Sequence, residues 1–274
     1  MMRSTLLRVS GVAVAALAAA GGLAACDNGE SSSSSDGTTP SVVTAQASSS
    51  AAASTDLSVS AAASLKTAFT TLASSFEKSH PGVTVKLEFD GSATLANQIN
   101  QGSPVDVFAS ADEKNMTKIG DKALDPKTFA TNTLVIVTAP GNPKGVNSLK
   151  DLQRSDVTTA QCAVPQPCGN ASVAVERNAG VTIKPVTEEP SVTSVLTKVT
   201  TGQVDAGLVY VSDAKSAGDK VTTVEDPAFA TVVNKYPITV VKGTSKQDLG
   251  NQFETLVLSS EGRDVLTSLG FGAP

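Results

Sequence analysis

From residue 56 onward the chain alternates short apolar strands with amphipathic helices, and at two early junctions a serine stands where a strand gives way to a helix: Ser64 in AAASL and Ser92 in GSATLA. Such alternation builds a mostly parallel sheet with helices on its faces, and ligands of such sheets bind beyond the carboxyl ends of the strands. A helix start carries unpartnered N–H groups and the positive end of the helix dipole, so both serines sit where an anion is favoured. Taken alone, they have a plainer reading as N-caps, each contributing about 1 kcal/mol to its helix.

The alternation can be followed along the chain. Residues 57–60 alternate as a first strand, and Leu65, Ala68, Phe69, Leu72 and Phe76 then fall at helical spacing. Strands are predicted over 83–89 and 105–110, with a short helix over 94–100 between them. The apolar run 133–138 leads into the breaker-rich PGNPKG, a passage between two lobes. The second lobe repeats the pattern: strand 158–164, helix 171–178, a helix marked by Val192, Val195, Leu196 and Val199, and strand 204–210 ending at Tyr210. Strand 236–241 and two amphipathic helices finish the chain. The expected organisation is lobe I over 56–137, lobe II over 138–235, and a return to lobe I over 236–274.

The N-terminal end has another character. Arg3 and Arg8 precede an apolar run from Val12 to Ala20 and then Leu23-Ala24-Ala25-Cys26, so residues 1–26 read as an export signal, too short and too rich in Ala and Gly for a membrane span. The last four of these residues resemble the lipobox of bacterial lipoproteins, in which the cysteine is acylated; Cys26 would then be the lipidated first residue of the mature chain. Residues 27–55, mostly Ser, Ala, Thr, Gly and Asp, cannot bury enough surface to order themselves and read as a flexible tether.

Charge and composition exclude several classes. The 21 Lys and Arg stand against 26 Asp and Glu, and fall to 19 once Arg3 and Arg8 leave with the signal. An acidic surface argues against nucleic acid and gives an anion no long-range attraction, so an anion site must work locally. His80 is the sole histidine, and no Cys/His spacing suits a metal. Cys162 and Cys168, the pair left in an exported chain, suggest a disulfide, with two free thiols as the alternative.

The motifs AAASL, GSATLA, PVDVFASAD, GLVYVSDA, YPITVV and LTSLGF, in this order, resemble the molybdate-binding proteins of bacterial ABC uptake systems, and the resemblance spans the whole folded part. It implies an α/β, two-lobed periplasmic-binding-protein-like fold with the ligand in the cleft between lobes. It further implies that molybdate or tungstate is held by the hydroxyls of Ser64, Ser92 and Tyr210 and the backbone N–H groups of Cys168 and Val192, with no cofactor and no direct metal ligand. The implied setting is a monomeric, lipid-anchored extracytoplasmic receptor serving an ABC permease. Cys168 departs from the commoner alanine of that family. Asp106, Asp112, Asp205 and Asp213 read as solvated or as caps, Ser191 as a cap for the helix at Val192, and Lys66 as pointing outward. Two other readings are a receptor for sulfate or phosphate and, in a different class, a lipid-anchored hydrolase using Ser64 or Ser92 with His80 as its base.

Overall fold

The computed structural model describes residues 54–274; the expected export signal, Cys26 and the tether up to residue 53 lie outside the described residues. The first part contains β1 (Thr55–Ala62), α1 (Lys66–Ser79), β2 (Val83–Asp90), α2 (Ser92–Asn100), β3 (Val107–Ala109), α3 (Glu113–Lys118) and β4 (Ala123–Asn132). The middle contains β5 (Leu134–Thr138), β6 (Thr159–Cys162), α4 (Pro167–Ala179), β7 (Thr187–Glu189), α5 (Val192–Thr200), β8 (Ala206–Tyr210), α6 (Val211–Ala217) and β9 (Thr222–Val224). The chain ends with β10 (Asn234–Val241), α7 (Gln247–Leu258) and α8 (Ser260–Ser268).

Two five-stranded sheets result, ordered β2-β1-β3-β10-β4 and β7-β6-β8-β5-β9. In each, four strands run one way and the fifth, β10 or β5, lies antiparallel among them, so the sheets are mixed. Those two strands are the ones that arrive from the other lobe. Residues 134–137, expected in lobe I, pair with β8 in the second sheet, which moves the first crossing to Thr133. The return begins at Asn234, two residues before the expected Tyr236.

The central strands are apolar because both faces are covered: every residue of LVIVT in β5 and AGLVY in β8 is buried. Strand β4 escapes sequence reading because ALDPKTFATN carries Pro126, exposed charges and a positive φ of 53° at Asp125, features tolerated at a sheet edge. Its pairing with β10 is irregular where Pro237 has no N–H to give.

Helix α1 buries Ala68, Phe69, Leu72, Ala73 and Phe76, the stripe expected from the spacing. The return helices complete this core: the Phe253 ring meets Phe69 and Phe76 edge-on, with centroids 5.9 and 5.4 Å away. Phe253 is fully buried, so Phe253→Ala is expected to remove about 3–5 kcal/mol of stability, read as a lower urea midpoint.

Candidate functional site

The parallel strands of both lobes end at the cleft, and four of the helices that follow start there: α1 after β1, α2 after β2, α4 after β6 and α5 after β7. Two belong to each lobe. The first turns of α2, α4 and α5 and the 3-10 turn before α1 border a small void of about 10 Å³, room for about one water molecule and far too little for a sugar or peptide. Ser64, Ser92, Cys168, Val192 and Tyr210 all line it.

Neither early serine caps its helix. Ser64 lies in the 3-10 turn Ala63–Leu65 that leads into α1, and its Oγ is 3.0 Å from the Tyr236 hydroxyl. Ser92 is the first residue of α2; its Oγ accepts the Ala111 N–H at 3.0 Å, which leaves the serine proton free to be donated. Cys168 and Val192 occupy the first turns of α4 and α5, where an N–H has no carbonyl within its own helix. Ser191 caps α5, as expected, by accepting from the Ser194 N–H. The Cys162–Cys168 disulfide is present, with an S–S distance of 2.07 Å, and joins the end of β6 to the start of α4.

Tyr210 is 1% exposed, and its hydroxyl has no hydrogen-bond partner among the described residues. A buried donor left unpaired costs about 1–3 kcal/mol, and this hydroxyl is a donor that an acceptor in the void can use. Burial pushes the hydroxyls of Tyr210 and Tyr236 well above the usual tyrosine range, and both stay protonated. Tyr236, from β10, does not line the void, and its contact with the site was not visible in the sequence. It holds Ser64 from behind and packs edge-on against Tyr210 at 5.9 Å.

The lining contains no Lys or Arg. Lys66 is exposed and lines a wider outer cleft with Thr193, Asp213 and Lys220. One acid reaches the void: Asp90, at the end of β2, whose carboxylate accepts the Gly91 N–H at 2.7 Å.

The other acids partly depart from the expected solvated or capping roles. Asp112 caps α3 and Asp205 binds the amide and hydroxyl of Thr158. Asp106 is instead buried, accepting from the Ser58 N–H and paired with Lys246 at 3.1 Å at the strand ends remote from the cleft. Asp213 is likewise buried, accepting the Tyr210 N–H at 3.0 Å, and the loss of solvent raises its pKa to about 7.

His80 cannot serve either serine as a base. It terminates α1, a 14-residue helix about 20 Å long, at the end opposite Ser64. The eight residues of β2 separate it from Ser92 by a similar span. Its ring stacks on Phe76 and bonds the Phe76 carbonyl and Gln252. Among the described residues no cluster of His, Cys, Asp and Glu could hold a metal ion, and no helix is long and apolar enough to cross a membrane.

Two mixed α/β lobes, crossed twice by the chain and lined at their interface by helix starts, define a two-lobed solute-binding receptor. Residues 57–272 match the family model of the bacterial extracellular solute-binding proteins, and the chain belongs to that family. It is 48% identical over 219 residues to the molybdate-binding protein ModA of Mycobacterium tuberculosis, spanning 79% of this chain and 84% of that protein. Among solved structures it resembles the substrate-binding domain of a putative molybdenum ABC transporter from Clostridium difficile (28% identity, TM-score 0.59, 81% of this chain and 100% of that one). It also shares its fold with the Azotobacter vinelandii periplasmic molybdate-binding protein (24% identity, TM-score 0.71, 80% and 99% covered).

The buried Asp213 gives the fold a pH signature. Its folded pKa lies above the unfolded value of 3.8, so the native state binds more protons between the two, and its contribution to stability is complete below pH 4 and lost as pH rises to about 7. Asp213→Asn is expected to melt above the wild type at pH 8 and close to it at pH 4, as measured by thermal scans across that range.

Proposed function

We propose that this protein binds molybdate, and tungstate as well, outside the cytoplasm and delivers it to an ABC permease. The observation that carries the reading is the unpartnered Tyr210 hydroxyl, buried in a lining of hydroxyl and backbone N–H donors without a cation. Ser64, Ser92, Tyr210 and the amides of Cys168 and Val192 are the proposed ligand set, and the likeness to molybdate-binding relatives supports it. A tetrahedral dianion has four oxygens that only accept. Neutral donors meet it without burying a Lys or Arg, whose desolvation costs several kcal/mol.

Selectivity follows from size and proton count. Sulfate is a smaller tetrahedron, which donors fixed to helix starts cannot all reach at good length. Hydrogen phosphate brings a proton that needs an acceptor, and a lining of donors penalises it by about 1–3 kcal/mol. One observation favours a phosphate receptor as a second reading: Asp90, the single carboxylate in the lining, is an acceptor of the kind that proton requires.

Melting in the presence of molybdate, tungstate, sulfate, phosphate or nitrate separates the readings. Ligand at 1,000 times its Kd adds about 4 kcal/mol of stability, and large shifts are expected from molybdate and tungstate alone; a phosphate shift of the same size would favour the second reading. Tyr210→Phe is expected to weaken molybdate binding about 10- to 100-fold by titration calorimetry while leaving the ligand-free melting temperature unchanged or higher, because it deletes a hydroxyl that the fold does not use. The lipid anchor at Cys26 belongs to the same proposal: Cys26→Ser should move the protein from the membrane fraction to the medium or the periplasm.

A further inference from the structure

Beside the anion cavity two side chains cross the cleft: Asn115 of α3 in lobe I donates to the Pro165 carbonyl of lobe II at 3.4 Å, and Gln166 makes two shorter bonds in the other direction. Gln166 precedes α4 in lobe II as its N-cap residue, yet its side chain makes no bond to its own helix. It reaches instead to the first turn of α2 in lobe I. Its Oε1 accepts the Ala93 N–H at 3.1 Å and its Nε2 donates to the Thr94 hydroxyl at 3.0 Å. Gln166 is 7% exposed; its bond to Ala93 is buried and its bond to Thr94 partly so. Gly91, just before α2, makes the approach possible: a Cβ at that position would collide with Gln166 Oε1 and with the Pro190 carbonyl oxygen, both from lobe II. The residues on either side of this contact, Ser92 in lobe I and Cys168 in lobe II, line the cavity.

We propose that Gln166 is the latch of the closed receptor: by bridging to Ala93 and Thr94 across the cleft it holds the lobes together over the bound anion and sets how fast the anion leaves. The proposal rests on the binding reading above. The two bonds join different lobes and exist only when the cleft is shut, so they stabilise the closed form alone. An opened cleft returns the Gln166 amide and the Ala93 N–H to water. Gln166 touches no ligand position in this account; it is a positioning residue, and Gly91 is the clearance that its reach requires.

Stopped-flow measurement of molybdate binding to the full chain tests this. Gln166→Leu, similar in size and unable to accept the Ala93 N–H, should raise the dissociation rate about 5- to 30-fold with little change in the association rate. Its ligand-free melting temperature should change little, since only the fraction of ligand-free molecules with the cleft shut uses the bonds. Thr94→Val should have a smaller effect, and adding it to Gln166→Leu should cost nothing further. Gly91→Ala should weaken binding more than either, with an unchanged circular dichroism spectrum. A wild-type dissociation rate in Gln166→Leu, or a drop in ligand-free melting temperature that accounts for the loss, overturns the latch. If the wild type itself shows no molybdate binding, the binding reading fails instead. The latch is then judged by the distance between spin labels at the exposed positions Lys118 and Val173, one in each lobe. An equal closed population in wild type and Gln166→Leu would refute it.

Discussion

The site depends on backbone N–H groups left over at helix starts. Four helices open onto one void, two from each lobe, and each brings amides that its own first turn cannot satisfy. These donors are fixed by the strand-to-helix turns rather than by side-chain rotamers, so they need little reorganisation when an acceptor arrives. The dipoles add positive potential at the same point without a formal charge to desolvate. On a chain with an excess of acidic residues, such a site attracts an anion only at close range, and shape and donor count then decide which anion stays.

That convergence requires two lobes that can part and meet, and the topology supplies them. The chain crosses at Thr133 and again before Asn234, and each crossing delivers the single antiparallel strand of the sheet it enters. Asn132 and Asn234 face each other across β4 and β10 beside these crossings. Asn132 donates to the Ser212 hydroxyl at 2.8 Å and Asn234 to the Ala111 carbonyl at 2.9 Å, both fully within the buried layer. Ala111 in turn gives its N–H to Ser92. The hinge region is thus bonded to a residue of the anion cavity, and movement of the lobes and order in the site share one set of contacts.

The periodicity of single elements was easier to read than their pairing. Alternating strands and helices and the α1 stripe were legible, because period reports on a residue's own element, whereas the five proposed ligand residues came from the family resemblance and fall on one void. What was not legible depends on distant chain. Strand β4 looks like a loop until β10 lies beside it, and the lobe boundary near Thr133 is invisible in a run that is apolar throughout. Tyr236 read as an ordinary strand residue; only the fold brings its hydroxyl to Ser64, 172 residues earlier. Gln166 left no signal either, since its partners lie across the cleft and more than 70 residues away.

Around the cavity the polar side chains exchange their usual duties. Serine is a preferred cap and aspartate a natural anion repeller, which would lead one to expect serines spent on helices and acids kept away. Here the acids take up the amides: Asp90 accepts from Gly91, Asp112 from Asn115 and Asp213 from Tyr210. Each carboxylate thereby meets a backbone donor, and burial holds Asp112 and Asp213 above the ordinary carboxylate range, Asp213 at about 7. Ser64 and Ser92 are released from capping and held by the Tyr236 hydroxyl and the Ala111 amide, and Ser92, an acceptor in its bond, keeps its proton to donate. A lining of uncharged donors with one carboxylate, Asp90, is the outcome of that exchange. It explains how a cleft with acids on several sides still presents donors at its centre.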